Sequence, residues 1–211
     1  MNNTNEYLIR NELITTTNNK HYNGWSNRTK YGYHSYDIED IHIPGQRNPR
    51  KRLEIYKKYV DFHDVILYDF GCNVGAMLHH LPEINTGIGF DYDVKCILAG
   101  NNISKILKLE NKIKLYHHDF DKDSYLDLKE KIKPNDISLL LSLGSWVASW
   151  KDLYSIALEY SKKIILEINN IKEGEPQLNF FQKKQKQITQ ITNNSNDDST
   201  GNSERQSFLI C

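Results

Sequence analysis

A predicted buried strand that ends in an acid and runs into a glycine turn is the feature that most constrains this chain. The stretch is LYDFGCNVGAMLHHL, residues 67–81. The apolar run 64–70 predicts a strand, Asp69 lies near its end, and Gly71 and Gly75 bracket the turn into a predicted helix. Because glycine has no Cβ, such a turn can adopt unusual backbone angles and let a ligand approach the main chain. Ligands of doubly wound sheets bind at turns of this kind, beyond the carboxyl ends of the strands.

Short apolar runs alternate with helical segments through the rest of the chain. This alternation predicts a doubly wound α/β fold, in which a mostly parallel seven-stranded sheet carries helices on both faces. The last two runs are joined by a polar loop, so they predict a hairpin at a sheet edge and an antiparallel final strand. The predicted strands are 64–70, 86–91, 112–120, 136–146, 162–170, 186–192 and 205–211.

The first 49 residues differ from the rest in composition. The Asn/Thr cluster at 15–19 predicts that this part is partly mobile. Its aromatic residues are too many to be left in water, so the segment is also predicted to pack as a flap or lid. These aromatic residues are Tyr22, Trp25, Tyr31, Tyr33 and Tyr36. We therefore predict an N-terminal flap at 1–49 and a cofactor-binding domain at 50–211.

Charge and cysteine content exclude several classes. Lys+Arg and Asp+Glu are both 27, so no global field draws the protein to nucleic acid or to an anionic membrane. Cys72, Cys96 and Cys211 are widely spaced, which argues against a disulfide framework or a zinc site. The longest apolar stretch is shorter than the roughly 20 residues of a membrane-spanning helix. A cytoplasmic protein is the expectation.

Two local features invite site hypotheses. A basic cluster precedes the predicted domain, and it could hold a phosphate or an acidic substrate or simply begin a solvated helix. Its members are Arg47, Arg50, Lys51 and Arg52. His117 and His118 are adjacent on a predicted strand, so they point to opposite faces and predict no metal site.

A second acid indicates the kind of cofactor. Asp91 ends the second predicted strand, about 20 residues beyond Gly71, the spacing at which a carboxylate accepts the hydroxyl hydrogens of a ribose. A nucleoside cofactor is therefore predicted. A dinucleotide turn needs the pattern GxGxxG to approach a pyrophosphate, and here Asn73 stands at the second glycine. This disfavours a nicotinamide dinucleotide without excluding it.

The turn resembles the first motif, acid-x-Gly-x-x-x-Gly, of class I S-adenosylmethionine-dependent methyltransferases, and reads DFGCNVG at 69–75. GFDYD at 89–93 is similar to the second motif of that family, HHDFD at 117–121 to the third, and DISLLLSLGSWV at 136–147 to the fourth. The late hairpin is similar to the reversed final strand of the fold. The resemblance covers about 50–211 and implies S-adenosyl-L-methionine as the cofactor.

The resemblance also implies roles for single residues. Asp69 and the glycine turn would face the methionine part of the cofactor, Asp91 the ribose, and Asp119 with Phe120 the adenine. The cofactor-binding residues so predicted are Asp69, Gly71, Cys72, Asn73, Gly75, Asp91, Tyr92, Asp119, Phe120 and Ser142.

The methyl acceptor is less constrained. Methyl transfer is an in-line displacement that needs a base only when the acceptor loses a proton. The chain has neither the Asn/Asp-Pro-Pro-aromatic signature of enzymes acting on exocyclic amino groups of bases nor the Pro-Cys nucleophile of those acting on cytosine carbon. Glu167 and Trp146 are the predicted catalytic residues. Glu167 would orient or deprotonate the acceptor, with a structural hydrogen bond or salt bridge as the alternative. Trp146 would stack on a planar substrate, with a place beside the adenine or in the core as the alternatives. The predicted substrate-binding residues are Arg47, Ser145, Trp146 and Asn169.

The acceptor itself, whether a small molecule, an RNA or a protein, is left open, as is the oligomeric state. Two alternatives to a methyltransferase also remain. One is an NAD(P)-dependent oxidoreductase, and the other is a catalytically silent S-adenosylmethionine-binding subunit that supports a partner.

Overall fold

The structure, a computed structural model, describes residues 4–16, 32–199, 201 and 204–211. Tyr22, Trp25 and Tyr31 of the predicted flap lie outside these residues. The helices are α1 Thr4–Thr16, α2 Pro49–Tyr56, α3 Ala76–His79, α4 Val94–Ile106, α5 Tyr125–Lys131, α6 Trp150–Tyr160 and α7 Ile171–Lys183. The strands are β1 Tyr36–Ile38, β2 Ile41–Ile43, β3 Ile66–Phe70, β4 Thr86–Asp91, β5 Ile113–His117, β6 Asn135–Leu141, β7 Ser161–Ile168, β8 Ile188–Thr192 and β9 Gln206–Ile210.

A seven-stranded sheet forms the centre, with the strand order β5-β4-β3-β6-β7-β9-β8. Every pairing between two of the strands β3 to β7 is parallel. Strand β9 pairs antiparallel with both β7 and β8. The predicted doubly wound sheet and its antiparallel final strand are confirmed. The final strand lies inside the sheet, however, and β8 is the edge strand.

The strand order reverses between β3 and β6. The chain builds outward from β3 to β5 and then returns to the other side of β3. At such a switch point the loops beyond the carboxyl ends of the strands diverge and leave a crevice for a ligand. The turn after β3 lies at this crevice.

Side chains alternate across the sheet and pack into two apolar layers. Tyr68 and Phe70 of β3 belong to one buried cluster, which includes residues of α6 and α7. Leu67 belongs to the opposite cluster, which includes Leu53 and Tyr56 of α2. Successive residues of a strand point to opposite faces, so Asp69 shares the α2 side with Leu67.

The described N-terminal residues also pack on this core. Ile9 and Leu13 of α1 are buried with Tyr36 of the hairpin β1–β2 and with Ala99 and Ile103 of α4. Helix α1 was not among the sequence predictions, because its buried stripe is short and its other residues are mostly polar. No helix in the described part of the chain is both long and apolar enough to cross a membrane.

Helix α2 begins at Pro49, and the residues around its start explain why. Asn48 caps it, accepting a hydrogen bond from the Lys51 backbone nitrogen at 3.1 Å, and Pro49 occupies the first turn. Its buried residues include Arg52, Leu53 and Tyr56. The helix therefore brings one charged side chain into the interior next to β3.

Candidate cofactor-binding site

The turn after β3 contains three residues in the left-handed backbone region. Gly71, Asn73 and Gly75 have φ values of 77°, 53° and 72°. This region is costly for most residues but open to glycine and, more than to others, to asparagine. Asn73 thus adopts a glycine-like conformation at the position where a dinucleotide motif has its second glycine.

Asp91 fixes this turn from the end of β4. Its Oδ2 accepts a hydrogen bond from the Asn73 backbone nitrogen at 2.8 Å, and its Oδ1 accepts one from the Asp93 backbone nitrogen at 2.9 Å. Burial raises the pKa of the Asp91 carboxyl to about 6, although these two hydrogen bonds act to lower it. The Asp91 carboxylate therefore fastens the glycine turn to the end of β4.

Most backbone N–H groups of the turn are bonded internally. Gly71 and Cys72 both donate to the Phe90 carbonyl oxygen, at 2.8 and 3.0 Å, and Gly75 donates to the Cys72 carbonyl oxygen at 2.8 Å. The Asn73 nitrogen is bonded to Asp91 as above. Helix α3, which follows, has only 4 residues. Because a pyrophosphate is held by free N–H groups at a helix N-terminus, this turn is poorly suited to one.

Asp69 lies buried beneath the turn, with 2% of its surface exposed. Burial raises the pKa of its carboxyl to about 7, the charge of Arg52 acts to lower it, and Asp91 acts to raise it. Within the described part of the chain the Asp69 carboxylate accepts no hydrogen bond. Each carboxylate oxygen has two lone-pair sites, so the Asp69 carboxylate has acceptor capacity to spare.

Three predicted cofactor-binding residues follow β4 and β5: Tyr92, and the two predicted to lie near an adenine, Asp119 and Phe120. Phe120 is buried and packs edge-on against Phe70 at 6.2 Å between ring centroids, while Tyr92 is 39% exposed. The Asp119 carboxylate accepts from the Asp121 backbone nitrogen at 3.1 Å and from Lys122 Nζ at 2.7 Å. These residues share the carboxyl edge with Asp91, since His117 is in register with Asp91 across β4 and β5.

Cys72 is buried in the turn and packs against β4. A Cβ placed on Gly89 would come within 2.7 Å of the Cys72 Sγ, so Gly89 leaves the room that this thiol needs. Burial raises the pKa of the Cys72 thiol well above its usual range, and the charges of Asp91 and Asp69 act the same way. The thiol therefore packs against β4 as a neutral group.

The predicted acceptor-side residues follow β6 and β7. Trp146 is 68% exposed, in the loop between β6 and α6. Ser145 Oγ in the same loop donates to Glu173 Oε2 at 3.1 Å, which ties this loop to the start of α7. Asn169 Oδ1 accepts from Arg205 Nε at 3.4 Å. The exposed indole is thus placed at the carboxyl edge, on the side of β6 and β7.

Glu167, near the end of β7, is enclosed by cations. Its oxygens accept hydrogen bonds from the Arg47 guanidinium at 3.0 to 3.2 Å and from Ser142 Oγ at 2.6 Å, and Oε2 lies 3.0 Å from Arg52 Nη2. Burial alone raises the pKa of this carboxyl, but Arg52, Arg47 and the hydrogen bonds outweigh burial and bring the pKa to about 2. A carboxylate so paired is a weak base, so this arrangement does not supply the basic group that a deprotonating role for Glu167 needs.

Arg47 is held in the interior rather than presented at the surface. Its side chain is 0% exposed and also donates from Nε to Asp197 Oδ2 at 2.6 Å. The Arg47 backbone forms one isolated β-bridge with His34 and another with Asp198. Gly45 lies so close to His34 that a Cβ would come within 2.3 Å of the His34 backbone. The Arg47 guanidinium, which was predicted to bind substrate, is instead held in buried ion pairs with Glu167 and Asp197.

The predicted basic cluster divides into two pairs. The Arg47 and Arg52 side chains are 0% and 5% exposed, whereas the Arg50 side chain is 56% exposed and pairs with Asp37 and Glu54. Lys51 is exposed as well. The four cations therefore do not form one surface patch.

Several charged residues of this site had no predicted role. Asp197 binds Arg47, Asp198 binds Arg205, and Arg205 reaches Asn169. These residues lie in or next to a polar, turn-rich loop about 150 positions from Arg47 along the chain. No local sequence pattern indicates their role, because only the folded chain brings them next to their partners.

Comparison with solved structures supports the fold alone. No family model matches the sequence, and no curated protein matches it. Among solved structures, the StiE O-MT region has 13% identity and a TM-score of 0.57, with 76% of this chain and 73% of that one covered. A structure described as precorrin 8W decarboxylase, from Methanobacterium thermoautotrophicum, has 14% identity and a TM-score of 0.61, with coverage of 80% and 92%.

A third solved structure is described as a putative SAM-dependent methyltransferase from Streptococcus mutans. It has 13% identity and a TM-score of 0.59, with 81% of this chain but only 51% of that one covered. At such low identity these likenesses establish a shared fold and no more.

Proposed function

Because the chain has the fold of class I S-adenosylmethionine-dependent methyltransferases, we propose that it binds S-adenosyl-L-methionine and transfers its methyl group to an acceptor. Two of the structural neighbours are described as an O-MT and a SAM-dependent methyltransferase, which supports a transferase activity. In this proposal residues 50–211 are the catalytic domain, and the segment before them is its flap. The unpaired cysteines support a cytoplasmic location.

The observation that carries the proposal is the joint geometry of Asp91 and the glycine turn. Each Asp91 oxygen accepts one backbone N–H. A carboxylate oxygen has two lone-pair sites, so both oxygens can accept a further hydrogen. Two ribose hydroxyls can therefore donate to the Asp91 carboxylate, which lies next to the glycine turn.

The same geometry disfavours the dinucleotide alternative. Four N–H groups of the turn are already bonded within the protein, so few remain for a pyrophosphate. The buried Asp69 next to the turn would repel the negative charges of phosphate when it is ionised. S-adenosylmethionine carries a ribose but no phosphate, and it therefore fits this site better than NAD does.

When bound, S-adenosylmethionine supplies an electrophilic methyl group on its sulfonium. In the proposal Asp91 holds the ribose, and Phe120 with Tyr92 and Asp119 borders the adenine. The turn from Gly71 to Gly75 lines the methionine end. These contacts align the methyl group, and alignment is the main contribution a protein can make to an in-line displacement.

The acceptor is proposed to enter between the loops that follow β6 and β7. The exposed Trp146 can stack on a planar acceptor there, and Ser145 and Asn169 border the same opening. Glu167 is better suited to anchor Arg47 and Arg52 than to take a proton, because its pKa is about 2. The proposal therefore assigns Glu167 a positioning role and leaves the acceptor class open.

A methyl-transfer screen tests the activity. The full chain would be incubated with methyl-labelled S-adenosylmethionine and separate pools of small molecules, RNA and protein, with Asp91→Ala as the cofactor-site control. Label transfer to one pool by the wild type but not by the variant supports the enzyme. Cofactor binding with no transfer to any pool would instead favour the silent partner subunit.

A further inference from the structure

Three arginine side chains are buried together at the carboxyl end of β7. The side chains of Arg47, Arg52 and Arg205 are 0%, 5% and 3% exposed, and each has a guanidinium nitrogen within 4.0 Å of a Glu167 carboxylate oxygen. Glu167 lies on β7 and is their shared partner from the sheet. One carboxylate balances one positive charge, so the other two positive charges need anions from elsewhere in the chain.

A short loop between β8 and β9 supplies these two anions. We call residues 195–199, which read SNDDS, the strap. Asp197 Oδ2 accepts a hydrogen bond from Arg47 Nε at 2.6 Å, and Asp198 forms an ion pair with Arg205. The side chains of Asp197 and Asp198 are 3% and 0% exposed. The strap therefore neutralises the arginine group by inserting two carboxylates into it.

The strap leaves part of the arginine group without hydrogen bonds. Arg52 Nε lies 3.8 Å from Asp197 Oδ2, and Arg52 Nη2 lies 3.0 Å from Glu167 Oε2. Both nitrogens are buried, and neither has a hydrogen-bond partner among the described residues. A buried charged donor without a hydrogen bond is costly. A ligand that accepts from Arg52 would therefore gain an interaction that the strap does not make.

The strap is attached to the segment before α2 by polar contacts. The Ser199 backbone nitrogen donates to the Gln46 carbonyl oxygen at 2.8 Å, and the Asn48 backbone nitrogen donates to the Asp197 carbonyl oxygen at 2.9 Å. Gln46 Nε2 donates to Asp198 Oδ2 at 3.1 Å. All five strap side chains are polar, so the strap itself buries no apolar side chain. Segments with few buried apolar contacts open at a low free-energy cost, and a dissolved anion can compete with carboxylates held in this way.

We propose that the strap covers an anion-binding site formed by the three buried arginines, and that an acceptor with a dianionic phosphate group displaces the two strap carboxylates to bind there. This inference deepens the proposed function, on which it rests, by naming the acceptor class. With the strap released, the group has three positive charges and the one negative charge of Glu167, so a dianion restores neutrality. Guanidinium groups bind phosphate oxygens through paired N–H donors, which suits them to this ligand.

The site suits a small phosphorylated molecule better than a nucleic acid. A polynucleotide backbone is held by cations along an exposed groove, whereas these arginine side chains are at most 5% exposed. Ser142 Oγ donates to Glu167 Oε1 at 2.6 Å, and Asn169 Oδ1 accepts from Arg205 Nε at 3.4 Å. The arginine group therefore lies beside the loops after β6 and β7, where the acceptor is proposed to enter.

Isothermal titration with inorganic phosphate tests the site without the cofactor. The strap variant, Asp197→Asn with Asp198→Asn, lacks the competing carboxylates and should bind phosphate at least about 10-fold more tightly than the wild type. The matched control, Asp136→Asn with Glu159→Gln, removes two carboxylates from surface ion pairs and should bind phosphate as the wild type does. Adding Arg205→Met to the strap variant should remove the gain. Equal phosphate affinity in the strap variant and the wild type would overturn the inference.

Amide hydrogen exchange of the wild-type protein tests release of the strap, and it applies even where the strap variant does not fold. Excess phosphate should speed the exchange of residues 195–199 by about 3-fold or more, compared with chloride at equal ionic strength. Exchange that stays unchanged or slows in phosphate would contradict displacement of the strap.

The small-molecule pool of the methyl-transfer screen tests the acceptor class. One half of the pool would be treated with a phosphatase, which is removed before the assay. Label transfer to the untreated half alone supports a phosphorylated acceptor. Equal transfer to both halves would overturn the inference and leave the proposed function intact. Tighter phosphate binding by the strap variant without label transfer to any pool would overturn the proposed function, and with it the assignment of the anion to an acceptor.

Discussion

Arg47 and Glu167, 120 positions apart in the chain, form a buried ion pair in which the guanidinium Nη2 donates to both carboxylate oxygens, at 3.0 and 3.1 Å. The pair joins the segment before α2 to the carboxyl end of β7. Asp197 binds the same guanidinium, so a third, distant segment is tied to the first two. Three parts of the chain are thereby fixed above the edge of the sheet where the cofactor is proposed to bind.

Removing the charge of Glu167 should destabilise the protein strongly. Glu167→Gln leaves Arg47 and Arg52 without their shared anion, and loss of one partner of a buried pair costs about 3–5 kcal/mol. We expect a decrease of about 3 kcal/mol in the free energy of unfolding, measured by urea denaturation at pH 7. Glu159→Gln, which breaks the exposed pair with Lys129, is the control and should cost less than about 1 kcal/mol. Similar costs for the two variants would contradict the buried network.

Acidification should remove the stabilisation that Glu167 contributes. The folded-state pKa of its carboxyl is about 2, below the ordinary value of 4.5. Stability from this group is therefore complete above about pH 4.5 and is lost as the pH falls toward 2. Unfolding midpoints measured across this range should fall for the wild type and change less for Glu167→Gln.

Ionisation of Asp69 should lower the stability of the protein as the pH rises. Its folded-state pKa is raised to about 7 from 3.8, so the folded protein prefers the protonated form. The stability of the ligand-free protein should then decrease as the pH rises from about 4 through 7, and Asp69→Asn should reduce this decrease. Asp91, with its pKa raised to about 6, adds to the same trend. A wild-type stability that rises steadily from pH 5 to 8 would contradict this assignment.

Replacements of Asn73 should rank by their tolerance of a positive φ. At φ 53° a glycine is unstrained, an alanine is strained, and a β-branched valine is strained most. Urea denaturation should therefore give stabilities in the order Asn73→Gly, Asn73→Ala, Asn73→Val, with about 1–2 kcal/mol between glycine and alanine. If valine proved as stable as glycine, the turn would have another conformation in solution.

Much of the fold follows from local pattern, and the charged network does not. The apolar runs of β3 to β7 and the glycine turn are visible in sequence because buried parallel strands and left-handed turns each restrict residue type. The ion pair of Arg47 with Glu167 leaves no such trace. Arg47 lies in a basic stretch that is typical of a solvated helix start, and only the folded chain shows that two of those cations are buried.

The spare hydrogen-bonding capacity of the Asp69 carboxylate, and of Arg52 Nε and Nη2, which have no hydrogen-bond partner among the described residues, is likewise invisible in sequence. The position of Asp69 in the motif indicates a site, but whether its oxygens are already bonded depends on groups that other segments bring near. Helix α1 was not predicted for a related reason: its stability comes from packing Ile9 and Leu13 on α4 rather than from a strong pattern of its own.

Loss of the Asp91 carboxylate should abolish most cofactor affinity. Asp91→Ala removes the proposed ribose acceptor and also the hydrogen bonds that the Asn73 and Asp93 backbone nitrogens donate to Asp91. We expect S-adenosylhomocysteine affinity to fall on the order of 100-fold, since two hydrogen bonds to a charged group are lost. Asp136→Ala is the control, because Asp136 pairs with Lys162 near the start of β6, at the edge of the sheet away from Asp91. An unchanged affinity in Asp91→Ala, with the fold confirmed by circular dichroism, would place the ribose elsewhere.

The most direct test of the account is a side-by-side isothermal titration of the wild-type chain with S-adenosylmethionine, S-adenosylhomocysteine and NAD. The geometry of Asp91 and of the internally bonded turn predicts that the first two bind and that NAD does not. Binding of NAD, or of none of the three, would contradict the central claim that this is an S-adenosylmethionine site.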